Sequence, residues 1–204
     1  MPLTSADGRR AVLLARDVLE AHVLGNRGES VRKLPPVFSE KRGVFVTLNK
    51  LEAGVKSLRG CIGYSEPVKP LGEAIKDVAV YASEDPRFPY PVQPDELGSI
   101  VVEVSVLTLP REVKAPSRTD LPAMVRLGVD GVVVSNRFAS GLFLPQVATE
   151  QGWDHETYLS EACIKAGLPP DAWLSSGTKV EVFQAEVFGE VSPRGEVVRT
   201  GQEE

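Results

Sequence analysis

The chain has 204 residues, a formal net charge of −5 and 42% hydrophobic residues, which suits one folded domain or two small lobes sharing a core. No apolar run approaches the roughly 18 residues that suggest a membrane span, and the start lacks the basic, apolar and small-residue regions of a secretory signal. The acidic balance argues against non-specific binding to nucleic acid, and the expected compartment is the cytoplasm.

Ala11, Leu14, Ala15, Val18 and Leu19 recur at helical spacing and predict a helix over 5–25, capped by Ser5 or Asp7 and closed by Gly25 and Gly28. A polar loop with Pro35-Pro36 follows over 26–41. The β-branched and aromatic run 44–48 predicts a strand, and 49–56 reads as a hairpin connection into a second strand, Leu58-Arg59-Gly60-Cys61-Ile62-Gly63-Tyr64. Leu71, Ile75, Val78, Ala79 and Ala82 form the stripe of a second helix, which stops before Pro86. Prolines at 86, 89, 91 and 94 mark a long connection. The run 100–109 is the most continuous β stretch. Ile100, Val102, Val104 and Val106 share one face, and Val101, Glu103, Ser105 and Leu107 the other.

Residues 111–130 are mixed, with a helical turn near 121–127. Strands over 131–135 and 139–144 flank the turn Asn136-Arg137, and a short helical turn after Pro145 runs through Glu150. Asp154 caps a helix to about Ala166, ended by Gly167. Residues 179–191 form a final strand or pair of strands, and the polar tail 192–204 is expected to be mobile. Strands and helices alternate without regular βαβ units. The fold class is α+β, with a mainly antiparallel sheet flanked by helices.

The chemistry concentrates at the second strand. On an extended strand Arg59, Cys61 and Gly63 share one face, and a guanidinium beside a thiol lowers its pKa. Cys61 is read either as a nucleophile, redox thiol or metal ligand, or as a small buried hydrophobe between glycines. Arg59 and Glu103, charged residues in apolar strands, are expected to face one cleft and pair there. That pair is either a structural tie or an anion site at Arg59 gated by Glu103. Asp85 and Arg87, in Asp85-Pro86-Arg87-Phe88, form a rigid helix-to-loop turn or the rim of the same cleft. Ser105 points with Glu103, and Gln146 is a ligand contact or a helix-start residue. Only two cysteines and two histidines are present, without CxxC or HExxH spacing, so no structural zinc site is expected. Cys163, Trp153 and Trp173 read as core.

Several runs resemble the AMMECR domain family: Gly43-Val44-Phe45-Val46-Thr47-Leu48, the hallmark Leu58-Arg59-Gly60-Cys61-Ile62-Gly63, Asp85-Pro86-Arg87-Phe88, and Glu103-Val104-Ser105-Val106-Leu107. Gly141-Leu142-Phe143-Leu144-Pro145-Gln146-Val147, Gly152-Trp153-Asp154 and Lys165-Ala166-Gly167-Leu168-Pro169 continue the match in the family's order. The resemblance covers residues 9–190. It implies a single domain of a larger and a smaller α/β subdomain, with the hallmark near a cleft. It also implies a prokaryotic set with Memo-type and radical-SAM partners (the AmmeMemoRadiSam system). It implies no reaction and no cofactor. Two functions stay open: an enzyme or enzyme subunit working around Cys61 and Arg59, and a non-enzymatic module binding RNA, a nucleotide or a protein.

Overall fold

The computed structural model describes residues 2–26 and 34–200; Gly28, expected to help end the first helix, lies outside them. The helices are α1 (Ser5–Val23), α2 (Leu71–Ser83), α3 (Pro145–Gln151) and α4 (His155–Lys165). The strands are β1 (Val44–Glu52), β2 (Val55–Tyr64), β3 (Ile100–Leu107), β4 (Arg111–Glu112), β5 (Gly131–Ser135), β6 (Ser140–Phe143), β7 (Lys179–Phe183), β8 (Ala185–Glu190) and β9 (Val197–Thr200). No helix among the described residues is long and apolar enough to cross a membrane. The chain forms two compact units, Met1–Leu107 with Glu186–Glu204, and Thr108–Ala185.

In the first unit the sheet order is β2-β1-β3-β8-β9, and β1 pairs antiparallel with both β2 and β3. Val44, Val46 and Leu48 of β1 and Val102, Val104 and Val106 of β3 are fully buried in one core with α1 and α2. Alternation places Phe45, Thr47, Glu103 and Ser105 on the opposite face, where each is only half buried. The core face also holds an ion pair. Arg16 of α1 donates through Nε to Glu190 Oε1 at 3.1 Å and through Nη2 to the Ile100 carbonyl at 2.6 Å. Glu190 also accepts the Val102 N–H at 2.9 Å. The pair therefore ties α1, β3 and β8 together.

In the second unit the sheet order is β4-β7-β5-β6. Val132, Val134, Val180 and Val182 pack against Tyr158, Leu159, Ala162 and Cys163 of α4, with Trp173 completing the core. The Tyr158 hydroxyl donates to the Leu144 carbonyl at 3.2 Å, and burial pushes its pKa up.

Several local expectations change. The N-cap of α1 is Thr4. Its hydroxyl accepts the Asp7 N–H at 3.1 Å, and Asp7 returns the bond to the Thr4 N–H at 3.0 Å, a reciprocal box that neither Ser5 nor Asp7 makes as the cap. Residues 49–56 are mostly strand: β1 runs to Glu52, and the reversal is confined to Ala53 and Gly54, both at positive φ. The run 179–191 is two strands in different sheets. Part of the tail expected to be mobile is ordered, because β9 pairs with β8 from Val187↔Thr200 to Glu190↔Val197.

One glycine sets the approach of α2 to the sheet. A Cβ on Gly60 would lie 2.0 Å from the Ala82 carbonyl oxygen, so the last turn of α2 rests on bare backbone. Gly60→Ala is expected to force this contact apart and destabilise the protein by about 1–3 kcal/mol. Urea unfolding monitored by circular dichroism measures it; a wild-type midpoint would show that α2 does not depend on this approach.

Candidate functional site

The site lies in the first unit and begins with the register of β2. Leu48 pairs with Gly60 and Asn49 with Leu58, so Arg59 is the extra residue of a β-bulge. The bulge breaks the period-two alternation, and Arg59 does not share the Cys61 face. Its Nε donates to Glu96 Oε1 at 2.8 Å, and its Nη2 donates to Glu96 Oε2 at 3.0 Å and to the Tyr90 carbonyl at 3.1 Å. The guanidinium also stacks 5.4 Å from the Phe88 ring centre, and it holds the Glu96 carboxyl below its ordinary range. The expected Arg59–Glu103 pair is therefore not formed: the bulge turns Arg59 to a carboxylate on the turn before β3, and Glu103 stands on the opposite sheet face.

Cys61 sits on the outer strand, opposite Thr47. Its main-chain groups point away from β1, where an edge strand leaves them unpaired. The loop after α2 fills both positions. Asp85 accepts the Cys61 N–H at 2.9 Å, and Arg87 Nη2 donates to the Cys61 carbonyl at 2.9 Å. Asp85 also accepts the Arg87 N–H and Nε–H, each at 3.0 Å. The Asp85 side chain is fully buried, whereas that of Arg87 is 56% exposed. The Arg87 guanidinium, helped by the Cys61 and Arg87 N–H groups, holds the Asp85 carboxyl far below the usual range, although burial opposes it. Asp85 in turn is the main reason the Arg87 pKa is raised, with a smaller contribution from the Cys61 side chain. The guanidinium beside the thiol is thus Arg87, not Arg59.

With the backbone clamped, the half-buried Cys61 side chain projects from the sheet face opposite the helices. Thr47 Oγ1 donates to Cys61 Sγ at 3.2 Å. The same rung continues to Glu103, opposite Thr47 on β3. Burial pushes the Glu103 carboxyl up, against the opposing influence of Lys56 and Thr200. Ser105 stands two rungs further on, opposite Phe45. The Phe45 ring occupies the space above Gly63, where a Cβ would come within 2.3 Å of it. Gln146 belongs to the second unit, where it opens α3 and is exposed.

Sequence reasoning passed over Thr47, an ordinary strand residue until pairing sets it against Cys61. The signal was the parity it shares with Glu103 and Cys61 once the hairpin register is known. A shallow hollow of about 240 Å³ opens at the other end of α2, lined by Phe38, Pro70, Glu73 and Lys76 among others; no hallmark residue lines it. Among the described residues no group of three or more His, Cys, Asp or Glu side chains is placed to hold a metal ion.

Fold and site define an α+β protein that presents a backbone-clamped cysteine on the half-open face of an antiparallel sheet. The chain belongs to the AMMECR1 family, whose model matches residues 12–188. A protein of Methanothermobacter thermautotrophicus is 50% identical over 191 residues, covering 93% of this chain and 97% of its own length. Protein MJ0810 of Methanocaldococcus jannaschii is 47% identical, covering 96% of each chain. The crystal structure of the uncharacterized protein PH0010 from Pyrococcus horikoshii superposes with a TM-score of 0.74 at 45% identity, covering 98% of this chain and 99% of that one. None of these names states an activity.

The clamp has a pH signature. A depressed folded-state pKa contributes stability that is complete above the ordinary aspartate value of about 3.9 and is lost as pH falls from there through the folded value. Asp85→Asn is expected to cost about 1–2 kcal/mol at pH 7. The gap to wild type should narrow in acid below pH about 4, as the carboxyl of the unfolded wild type protonates while the folded one still resists it. Urea titrations at neutral and acid pH read this, and a gap independent of pH would mean that the charge of Asp85 is not what holds Cys61.

Proposed function

We propose that this AMMECR1-family protein acts as an enzyme, or as the thiol-bearing subunit of one, with Cys61 as a nucleophile that captures a small electrophile on the open sheet face. The observation that carries this reading is the clamp. Both main-chain polar groups of Cys61 are held by Asp85 and Arg87, and its side chain is left half exposed with the Thr47 hydroxyl donating to it. A nucleophile held by locked neighbours meets its substrate in one geometry, which is what covalent catalysis requires. A cysteine needed only for packing has no use for this arrangement. Cys163 is the contrast within the same chain: it is fully buried in the α4 core, and burial pushes its pKa up.

Arg87 keeps an exposed guanidinium beside the sulfur and favours a substrate with negative charge near its reacting carbon. Arg59 supports the site from behind through Glu96. In this reading the Memo-type and radical-SAM partners implied by the family resemblance act on the captured group in a modification pathway. A non-enzymatic module for RNA, a nucleotide or a protein would use the same face without its thiol.

Iodoacetamide labelling of the folded protein, read by peptide mass spectrometry, separates these readings. Cys61 is expected to react about tenfold faster than glutathione at pH 7, the enhancement expected of an activated thiol, with Cys163 unlabelled. A Cys61 that reacts no faster than glutathione would reduce it to a packing residue and leave the binding module as the function.

A further inference from the structure

The outer edge of β2 is filled at Cys61 and open one strand period further on. On an antiparallel edge strand the main-chain groups of every second residue face outward. Those of Cys61 do so, since Asp85 takes its N–H and Arg87 its carbonyl. Gly63 has the same parity, stands opposite Phe45 in the register and is half-buried. No strand flanks β2 on its outer side, and the Gly63 N–H and carbonyl have no partner among the described residues. In the chain the Cys61 N–H precedes the Cys61 carbonyl, so Arg87 is nearer to Gly63 than Asp85 is. The order along the edge is therefore a carboxylate, a guanidinium and then two unpaired backbone groups. Arg87 commits Nε and Nη2 to the clamp. Its Nη1 has no hydrogen-bond partner among the described residues, and its side chain is exposed.

We propose that this edge binds the C-terminus of a polypeptide as a short added strand. The last residue stands opposite Gly63. Its N–H donates to the Gly63 carbonyl, and its carboxylate accepts from the Gly63 N–H and from Arg87 Nη1. Strand addition, in which main-chain bonds hold the peptide, is thereby combined with capture of a terminal charge. Two features choose a chain end over an internal segment. Asp85 and Arg87 occupy the place that a longer strand would need beside Cys61, so pairing has to stop there. The end that meets Arg87 also has to be an anion. An antiparallel strand runs from Gly63 toward Cys61 in its own N-to-C direction, which delivers a carboxylate to the guanidinium. A parallel strand would bring an α-ammonium to it, and like charges in contact repel.

The surroundings also select the ligand's side chains. Paired residues project to the same face of a sheet. Gly63 has no side chain, and the Phe45 ring fills the space above it. The last residue of the ligand therefore lays its side chain against Phe45, on the face that also carries Cys61. The residue before it turns to the helix face, where Tyr64 and the exposed Tyr81 of α2 are within reach of each other. The ligand class is an extended polypeptide with a free C-terminal carboxylate and two apolar or aromatic last residues. Nothing in this arrangement needs the thiol to react, so the inference is independent of Cys61 as a nucleophile.

The test titrates isotope-labelled protein with the tripeptide acetyl-Thr-Tyr-Phe, as the free acid and as the C-terminal amide, and follows the backbone amide resonances. The free acid is expected to shift Gly63 most, with Cys61 and Ile62 beside it. It should bind about tenfold tighter than the amide, the difference expected when a charge-assisted hydrogen bond becomes a neutral one. Arg87→Gln should erase that difference by weakening the acid alone. Methylating the nitrogen of the peptide's last residue should abolish binding to wild type, which keeps the test decisive if Arg87→Gln does not fold. Equal binding of acid and amide, shifts that spare Gly63, or a methylated peptide that still binds overturns the proposal. Sodium acetate that moves Gly63 as far as the tripeptide does would reduce the edge to an anion contact and overturn it as well.

Discussion

Asp85 is the residue on which the candidate site depends. Its buried carboxylate gathers the Cys61 N–H, the Arg87 N–H and the Arg87 guanidinium, and Arg87 then closes on the Cys61 carbonyl. An edge strand normally leaves such groups to water or to a stray partner chain. Here a charged loop takes the place of a neighbouring strand, and the strand becomes rigid without being covered. The contact needs α2 to end against β2, which the missing side chain of Gly60 permits.

The charges of the first unit divide by how completely they are satisfied. Arg16 with Glu190 and Arg59 with Glu96 are multiply bonded pairs inside or beside the core. Such pairs cost strongly when broken, because a buried charge is left alone, and they suit the work of holding elements in register. Arg87 and Glu103 differ. The first is anchored on one side and exposed on the other, and the second is raised in pKa by burial. Arg87 reaches the main chain of Cys61 from the loop after α2, and Glu103 lies two strands away across Thr47. Shifted groups of this kind concentrate at functional sites.

Much of the fold was legible in the chain. The stripes of α1 and α2, the alternation in β3 that puts Glu103 opposite the valines, and the hairpin of β5 and β6 all follow from hydrophobic period and turn residues. Asp154 capping α4 follows from the same local chemistry, its Oδ1 accepting the Thr157 N–H at 2.8 Å. Less legible were features that depend on a distant partner. The reach of β1 to Glu52 and the pairing of β9 both rest on a neighbouring strand that local propensity does not contain.

The sequence by itself determined the class of fold, the family and the short list of residues around Cys61, because those are carried by residue type and near spacing. Which guanidinium meets the sulfur was decided only in three dimensions. One extra residue, Arg59, is accommodated as a bulge in β2, and a bulge turns every inference drawn from strict alternation past it. That single shift sends Arg59 to Glu96, leaves Glu103 without a cation in hydrogen-bond contact among the described residues, and gives Arg87 the place beside Cys61. Strand parity is a local rule, whereas register is set by the strand alongside.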